Sequence, residues 1–320
     1  MTAIVTSKLV TVFGGSGFVG RHIVRALAND GWRIRVAVRR PNCAHFLKPM
    51  GRVGQIQLLK TNVLDDAQVS EALRDADAAV NLVGILAQSG RQRFDAVHIA
   101  AAERVAKGVK AAGVTRLIHF SALGANANAP ARYFRTKAEG EARVRAAFAD
   151  ATIFRPALLF GPEDNFFNRF AALARLSPVL PLFGGGATRF QPVFVGDVAQ
   201  AVARALRDPA TAGTTYELAG PEVMNFNQVM VYVLHETRRK RILLPLPYWV
   251  ARFDGAILQI LPNAPLTLDQ ARMFETDTVL AGGMPGLPAL GIAPVSVEAI
   301  VPSYLWRFRK HGQFEMAATP

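Results

Sequence analysis

The first 120 residues alternate between short apolar runs and longer segments whose apolar side chains recur at helical spacing. The apolar runs predict five buried strands, at 8–13, 33–38, 55–60, 78–83 and 116–120. Helices are predicted between them, at 21–27, 67–73 and 94–112. Because strands separated by helices form parallel sheets covered on both faces, the sequence predicts an α/β fold with a doubly wound parallel sheet, the Rossmann arrangement.

The turn between the first strand and the first helix is rich in glycine. Gly14 permits a tight turn, Gly17 lets backbone amides approach a phosphate, and Gly20 allows the helix to pack close to its strand. The N-terminus of the helix attracts an anion. This spacing between a strand and a helix predicts a site for the pyrophosphate of a dinucleotide. The alternative interpretation is an ordinary glycine-rich turn.

Two arginines follow the second strand. In a protein selective for NAD, a carboxylate at this point binds the ribose 2′-hydroxyl. Arg39 and Arg40 cannot accept that hydrogen bond, whereas guanidinium groups bind a 2′-phosphate through charge-assisted hydrogen bonds. We therefore predict NADP(H) as the cofactor, with NADPH favoured over NADH. The alternative is a pair of surface arginines at a strand end.

The ends of the third and fourth strands supply further candidate contacts. Asn62 and Val63 follow the third strand, where the adenine is expected, and Val83 and Gly84 follow the fourth. Gly84 has no side chain, so the backbone there can pass close to the cofactor ribose and nicotinamide. By composition alone each segment is a strand-end turn, but their order along the sheet predicts cofactor contacts.

A candidate catalytic set follows the fifth strand. Tyr133 and Lys137 are four residues apart in a predicted helix, so their side chains share one face. A lysine ammonium beside a phenol lowers the pKa of the phenol and can hold the nicotinamide ribose, while the Ser121 hydroxyl can orient a substrate carbonyl. At this place in a dinucleotide fold, the pattern predicts catalytic residues rather than two helix-surface residues.

The second half of the chain has a different pattern. It predicts a helix at 165–175, a Pro- and Gly-rich connection at 178–186, an apolar run at 190–195, a helix at 198–206 and a strand at 214–218. A further helix at 249–261 has a broad apolar face, which suits either packing within a lobe or docking on a membrane or partner protein. Segment 306–311 places cations among aromatic side chains, which suits an anionic surface or an exposed chain end.

Composition narrows the classes of function. The chain has 320 residues, 51% of them apolar, which excludes disorder, and its formal net charge of +13 suits an anionic partner. Nucleic acid is the weakest candidate because Lys and Arg are scattered, and a basic surface that aids solubility is an equal alternative. Without a long apolar segment or a signal peptide, we expect a soluble or peripheral protein on the cytoplasmic side. Cys43 is the only cysteine and the six histidines are dispersed, so neither a disulfide nor a metal site is expected.

Several motifs together resemble the extended and atypical short-chain dehydrogenase/reductases. They are the glycine turn, Ser121, the pair Tyr133 and Lys137, and the sequence FRPALLFGP at 154–162. A more particular resemblance, over nearly the whole chain, is to the NAD(P)H-binding accessory subunit of respiratory complex I (NADH:ubiquinone oxidoreductase) and its bacterial relatives. It is carried by HFSALGA at 119–125, YFRTKA at 133–138, LTLDQ at 266–270 and YLWRFR at 304–309.

The resemblance implies an NADP(H)-binding accessory subunit that holds its cofactor without turnover. Its partners would be other complex I subunits, with anionic lipid as a further contact, at the cytoplasmic face of the inner membrane or on the mitochondrial matrix side. Ala122, Leu123 and Phe160 stand where active epimerases carry other residues, and the loop from Ser121 to Tyr133 is short. The alternative is an active NADP-dependent reductase or sugar-nucleotide epimerase or dehydratase.

The resemblance also implies the extent of the site and the order of the domains. Residues 1–160 would form the dinucleotide-binding domain, completed by elements within 190–219, and 161–320 would form a smaller, interleaved C-terminal lobe. With the residues already named, the expected cofactor contacts are Gly14, Ser16, Gly17, Phe18, Val19, Gly20, Arg39, Arg40, Asn62, Val63, Leu82, Val83, Gly84, Ser121, Tyr133, Lys137, Pro156 and Leu159.

Overall fold

A computed structural model describes residues 8–259 and 266–314. Its strands are β1 (Leu9–Phe13), β2 (Arg33–Val38), β3 (Ile56–Lys60), β4 (Ala78–Asn81), β5 (Arg116–Phe120), β6 (Thr152–Pro156), β7 (Leu159–Phe160), β8 (Val179–Phe183), β9 (Arg189–Phe190), β10 (Val193–Phe194), β11 (Thr215–Leu218), β12 (Met224–Asn225) and β13 (Ile242–Leu246). Its helices are α1 (Phe18–Asn29), α2 (Asp66–Leu73), α3 (Ala101–Ala111), α4 (Arg132–Ala147), α5 (Phe167–Leu176), α6 (Val195–Arg207), α7 (Phe226–Glu236), α8 (Tyr248–Leu258), α9 (Leu268–Met273), α10 (Val297–Ile300) and α11 (Pro302–Leu305). A π-helical segment, Asp95–Ala100, runs directly into α3.

Seven strands form one parallel sheet in the order β11, β6, β5, β4, β1, β2, β3. This confirms the predicted α/β fold with a doubly wound sheet. Every residue of β1 is buried, as expected for a central parallel strand whose two faces are both covered by helices. Strand β4 ends at Asn81, two residues earlier than predicted, and the Asn81 Oδ1 accepts there from the Val83 amide at 3.1 Å.

The chain forms two compact units. Within the described residues, the first unit contains the chain up to 156 together with 196–218 and 283–292, and the second contains 157–195, 219–282 and the chain from 293 onward. The first unit carries the seven-stranded sheet, and its core is built mainly from Ala, Val and Leu on the strands, α2 and α3. The predicted division into a domain at 1–160, completed by elements within 190–219, and a lobe at 161–320 stays a prediction.

The second unit contains three two-stranded pairings. Strands β7 and β10 are parallel, β9 and β12 are antiparallel, and β8 and β13 are parallel. Its core is rich in phenylalanine, and the rings pack in tilted and edge-to-face pairs. Asn225 and Gln228 form a reciprocal capping box at the start of α7.

The two five-residue strands of the second unit, β8 and β13, were not predicted from the sequence. Strand β8 lies in the segment predicted as a connection, and β13 lies in an apolar stretch that was given no strand. Pro181 in β8 and Pro245 in β13 argue against central strands, but each strand pairs on one side only, so the missing amide need not face a partner. The helix predicted at 249–261 is α8, and residues 260 and 261 lie outside the described residues.

Among residues 8–259 and 266–314, no helix combines the length and the apolar character needed to cross a bilayer. Residues 1–7, part of the segment on which the signal-peptide prediction rests, lie outside the described residues.

Candidate cofactor site

The glycine turn lies at the carboxyl ends of β1 and β4, where the order of the strands reverses. Ligands of open α/β sheets bind at such a point. Gly14 has a left-handed φ of +79°, and a methyl group on it would lie 3.4 Å from the backbone of Leu82 and of Val83. A methyl group on Gly20 would lie 2.5 Å from the Gly15 Cα, closer than any side chain can come. The structure therefore brings the first and fourth strand ends together and requires glycine at Gly20 for helix packing.

The N-terminus of α1 is suited to an anion. Within the described residues, the helix begins after Gly17 with no side-chain cap and no acidic residue in its first turn, so its first amides keep their donor capacity. Gly17 is exposed, and a methyl group on it would have only the Gly14 carbonyl oxygen nearby, at 3.4 Å. The space in front of Gly17 is thus open to a phosphate. Ser16, Phe18 and Val19 are partly exposed in the same turn.

Arg39 and Arg40 follow β2, which is paired with β1 next to the glycine turn. Both side chains are exposed, and neither makes an ion pair within the part of the chain that the structure describes. They stand where a 2′-phosphate would meet the second strand of a dinucleotide fold. The guanidinium groups are therefore available to an anion from solvent.

Asn62 and Val63 follow β3, and Asn62 is committed to the local turn. Its amide donates to Gln68 Oε1 at 2.8 Å, and its Oδ1 accepts from the Leu64 amide at 3.1 Å. Asn62 is exposed and Val63 is half-buried. The turn leads directly into α2, which Asp65 caps.

Lys137 of α4 lies against the turn after β4. A methyl group on Gly84 would be 3.2 Å from Lys137 Nζ, so a side chain there would crowd the ammonium group. Nζ donates to the Phe120 carbonyl oxygen at 3.0 Å, at the end of β5. Burial lowers the pKa of Lys137 to about 8, although Glu141 one turn further on opposes the shift. The structure thus joins Gly84 and Lys137, two contacts predicted from distant parts of the sequence.

The pKa of the Tyr133 phenol differs from the one expected from the sequence. Lys137 Nζ lies 6.0 Å from the centre of its ring. Burial raises the pKa of Tyr133 to about 12, whereas the sequence analysis expected the neighbouring lysine to lower the pKa of the phenol. The expectation was wrong because desolvation of the phenolate dominates, and the ammonium is held at the Phe120 carbonyl.

Ser121 lies at the end of β5 and is buried. Its amide donates to the Phe154 carbonyl at 2.7 Å. Within the described residues, its hydroxyl oxygen is buried and has no hydrogen-bond partner, so it can still bind an oxygen of a ligand. Beside it, the Leu123 amide donates to the Pro156 carbonyl, which places Pro156 along this loop. Leu159 lies in β7 of the second unit.

His98 is a candidate that the sequence analysis missed. It lies in the π-helical segment before α3 and is buried. Its Nε2 accepts from the Ile85 amide at 3.1 Å, and its Nδ1 lies 3.0 Å from Thr136 Oγ1. A single histidine in an amphipathic helix gives no local sign of this role, since its two partners are 13 and 38 residues away.

The residues present fit a nicotinamide dinucleotide. The glycine turn and the start of α1 offer backbone amides to the pyrophosphate. Gly84, which has no side chain, and Lys137 allow the ribose to lie close to both. Within the described residues, the buried Ser121 hydroxyl has no hydrogen-bond partner. No group of three His, Cys, Asp or Glu side chains within residues 8–259 and 266–314 is arranged to hold a metal ion.

Comparison with known proteins gives matches over most of the chain. The model of the NAD dependent epimerase/dehydratase family matches residues 10–219. The chain is 32% identical to "NADH dehydrogenase [ubiquinone] 1 alpha subcomplex subunit 9, mitochondrial" of Arabidopsis thaliana, over 96% of this chain and 80% of that protein. It is 33% identical to the protein of the same name from Rattus norvegicus, over 92% and 78%.

Two further similarities involve proteins named as enzymes. The chain is 30% identical to "Ceramide reductase" of Caulobacter vibrioides, over 75% of this chain and 74% of that protein. A solved structure of a nucleoside-diphosphate-sugar epimerase from Staphylococcus aureus superposes with a TM-score of 0.71 over 92% of this chain and 99% of that chain, at 16% identity. At that identity the superposition supports the fold alone.

Proposed function

We propose that this chain, which belongs to the NAD dependent epimerase/dehydratase family, is an NADP(H)-binding accessory subunit of a respiratory NADH dehydrogenase (ubiquinone) complex that holds its nucleotide without turnover. Membership of the family implies binding of a nicotinamide dinucleotide. The choice of NADPH, the absence of turnover and the assembly are the parts that we propose.

The extent of the similarity to complex I subunits carries this proposal. The family model ends at residue 219, whereas the similarity to the Arabidopsis subunit covers 96% of the chain and therefore reaches far into the residues after 219. A shared fold alone does not require this level of identity, since the sugar epimerase superposes over 92% of this chain at only 16% identity. Similarity through both compact units is expected if the second unit serves the same assembly.

The geometry around Tyr133 agrees with a nucleotide that is held rather than used. A general acid or base works best when its pKa lies near the working pH, but burial raises the pKa of Tyr133 to about 12. The Lys137 ammonium, which would counter this, donates to a backbone carbonyl. Ala122 and Leu123 are buried beside Ser121 and offer no further hydroxyl.

The two exposed arginines after β2 support NADPH as the nucleotide. Charge-assisted hydrogen bonds contribute about 1.5–3 kcal/mol, so the preference over NADH should be tenfold or more. Titration of both nucleotides against the wild type and the double variant Arg39→Ala/Arg40→Ala tests this choice. Equal affinities of the wild type for NADPH and NADH would contradict it.

An exposed apolar row on α8 supports docking to the assembly. Trp249, Phe253 and Ile257 follow one another at intervals of four residues, and they are 67%, 61% and 52% exposed. Such a row on a basic protein suits a partner subunit or an anionic membrane surface, at the cytoplasmic face of the inner membrane or on the matrix side. Association through it would be peripheral.

Isolation of the native protein tests the proposed function. Membranes solubilised in mild detergent should release the tagged chain in one large particle together with NADH dehydrogenase subunits. The double variant Trp249→Ser/Phe253→Ser should leave that particle, and the matched variant Val53→Ser, at an exposed residue of the first unit, should remain in it. Recovery of the wild type only as a free chain would contradict the proposal.

A second candidate, an active NADP-dependent reductase, is favoured by the similarity to the ceramide reductase. Tyr133, Lys137 and Ser121 would then act as acid, ribose contact and substrate contact. NADPH oxidation by the purified chain that is lost in Tyr133→Phe, with unchanged nucleotide affinity, would favour this candidate.

A further inference from the structure

His98 connects two segments that belong to the candidate cofactor site. Its Nε2 accepts from the amide of Ile85, in the turn after β4, and its Nδ1 meets Thr136 Oγ1 in α4. Both contacts are adjacent in sequence to the pair that lies closest in the site: Ile85 follows Gly84, and Thr136 precedes Lys137. The ring therefore spans the two sides of the place where Gly84 faces Lys137 Nζ.

The hydrogen bonds fix which nitrogen carries the proton. Burial, reinforced by the charge of Lys137, lowers the pKa of His98 to about 3, so the ring is neutral. Because Nε2 accepts from a backbone amide, the proton must be on Nδ1, which donates to Thr136 Oγ1. The Thr136 hydroxyl in turn donates to a backbone carbonyl of α4, either Arg132 or Tyr133, each at 3.0 Å.

Two aromatic neighbours keep the His98 ring in the position that these hydrogen bonds require. Phe94 stacks on His98 with ring centres 5.2 Å apart, and Tyr133 meets it edge-on at 5.5 Å. Phe94 is itself fully buried. The ring is thus held by two hydrogen bonds and two aromatic neighbours, one of which is the candidate acid of the site.

We propose that His98 is a positioning residue that locks the turn 83–85 to α4 and thereby slows the release of the bound nucleotide. The inference rests on the proposed nucleotide-holding function. While His98 makes both hydrogen bonds, Gly84 and Lys137 keep their separation, and their contact with the bound ribose stays formed. Without the lock, the turn can move away from α4, and the nucleotide leaves through the opening.

Two conservative variants separate the two hydrogen bonds. The amide of His98→Asn can supply the donor at the position of Nδ1, and that of His98→Gln can supply the acceptor at the position of Nε2. His98→Leu supplies neither. His235→Leu, at an exposed histidine of α7, is the matched control.

The readout is the rate at which bound NADPH leaves when excess NADP+ is added. The fluorescence of the bound NADPH reports its release, because NADP+ does not fluoresce. We expect release from His98→Leu to be about tenfold faster than from the wild type. His98→Gln, which keeps the bond to the turn, should restore more of the slow release than His98→Asn. His235→Leu should match the wild type.

A merely structural role would predict a different result. In that case all three His98 variants would lower the melting temperature of the nucleotide-free protein but release NADPH at the wild-type rate, and the inference would be overturned while the proposed function stood. If the wild type itself bound no NADPH, the proposed function would fail and the inference with it. If His98→Leu does not fold, the ratio of rates between the Gln and Asn variants decides.

Discussion

The two compact units bury their apolar residues in different ways. In the first unit, small aliphatic side chains from a seven-stranded parallel sheet pack against helices, and the glycines of the turn after β1 lie in close contact with neighbouring backbone. In the second unit, a cluster of phenylalanine rings fills the space between short strand pairs and helices. Its exposed larger apolar residues include Ile242 and Leu244 in β13 and Trp249, Phe253 and Ile257 in α8.

This difference indicates that the two units have different roles. Backbone amides, glycines and a few buried polar groups in the first unit form a surface that suits a nucleotide, and small core residues let strands and helices approach closely enough to hold it. The second unit has large aromatic rings in its core, and several of its apolar residues are exposed to solvent. Exposed residues of this kind are typical of surfaces that meet another protein or a membrane.

The largest expected loss of stability comes from the phenylalanine cluster. Phe226 is fully buried, with ring centres 5.3 Å from Phe170 and 5.2 Å from Phe274. Phe226→Ala should lower the free energy of unfolding by about 3–5 kcal/mol, since it removes these contacts and leaves a cavity. Denaturant titration measures the loss, and hydrogen exchange should locate it in α5 and α7. Equal loss from the exposed Phe253→Ala would show that the cluster is not the source.

The next largest effect tests the backbone of the first unit. A methyl group on Gly20 would lie 2.5 Å from the Gly15 Cα, whereas on Gly17 its nearest neighbour would be 3.4 Å away. Gly20→Ala should therefore cost about 1–3 kcal/mol of folding free energy, and Gly17→Ala much less. Both should weaken NADPH binding, Gly17→Ala by blocking the phosphate directly. A loss of stability that is the same in both variants would contradict the packing argument.

A change of one pH unit is expected to have a smaller effect. Burial and the charge of Lys137 lower the pKa of His119 to about 3, and its Nδ1 lies 3.3 Å from Asn81 Nδ2. An unfolded histidine binds a proton below about pH 6.5, but the folded one stays neutral, so stability should fall as the pH drops from 6.5 toward 3. His119→Gln should reduce this slope by about 1.4 kcal/mol per pH unit. Thermal melts between pH 4 and pH 8 measure the slope, and an unchanged slope would contradict the burial of this ring.

The smallest effect on folding is expected at the exposed row of α8. Trp249→Ser and Phe253→Ser remove side chains that are more exposed than buried, so each should change the free energy of unfolding by less than about 0.5 kcal/mol. Loss of assembly in these variants would then come from a lost docking surface. A large loss of stability would mean that both side chains pack within the unit instead.

Much of the first unit could be predicted because its signals are local. The strand at 33–38 and the strand at 116–120 were predicted with the bounds of β2 and β5, since continuous apolar runs between helical segments mark buried parallel strands. Gly14 and Gly20 were identified from spacing, and the structure shows the contacts that forbid a side chain at Gly20.

The features that the sequence did not predict have a different cause. The Pro- and Gly-rich composition of 178–186 predicted a connection, but pairing on a single side makes Pro181 compatible with β8, and Pro245 is compatible with β13 for the same reason. The acidity of Tyr133 depends on how completely the phenol is buried, and His98 depends on partners 13 and 38 residues away. Depth of burial and distant partners are properties of the folded chain, so no local pattern carries them.

We propose above all that NADPH is held at the glycine turn and is not used. The direct measurement quantifies reduced and oxidised nucleotide bound to the purified assembly during incubation with a protein-free cell extract, in the wild type, Gly17→Val and Tyr133→Phe. We expect NADPH to stay bound and reduced in the wild type and in Tyr133→Phe, and we expect Gly17→Val to carry none. Oxidation of the bound NADPH in the wild type, with none in Tyr133→Phe, would contradict it.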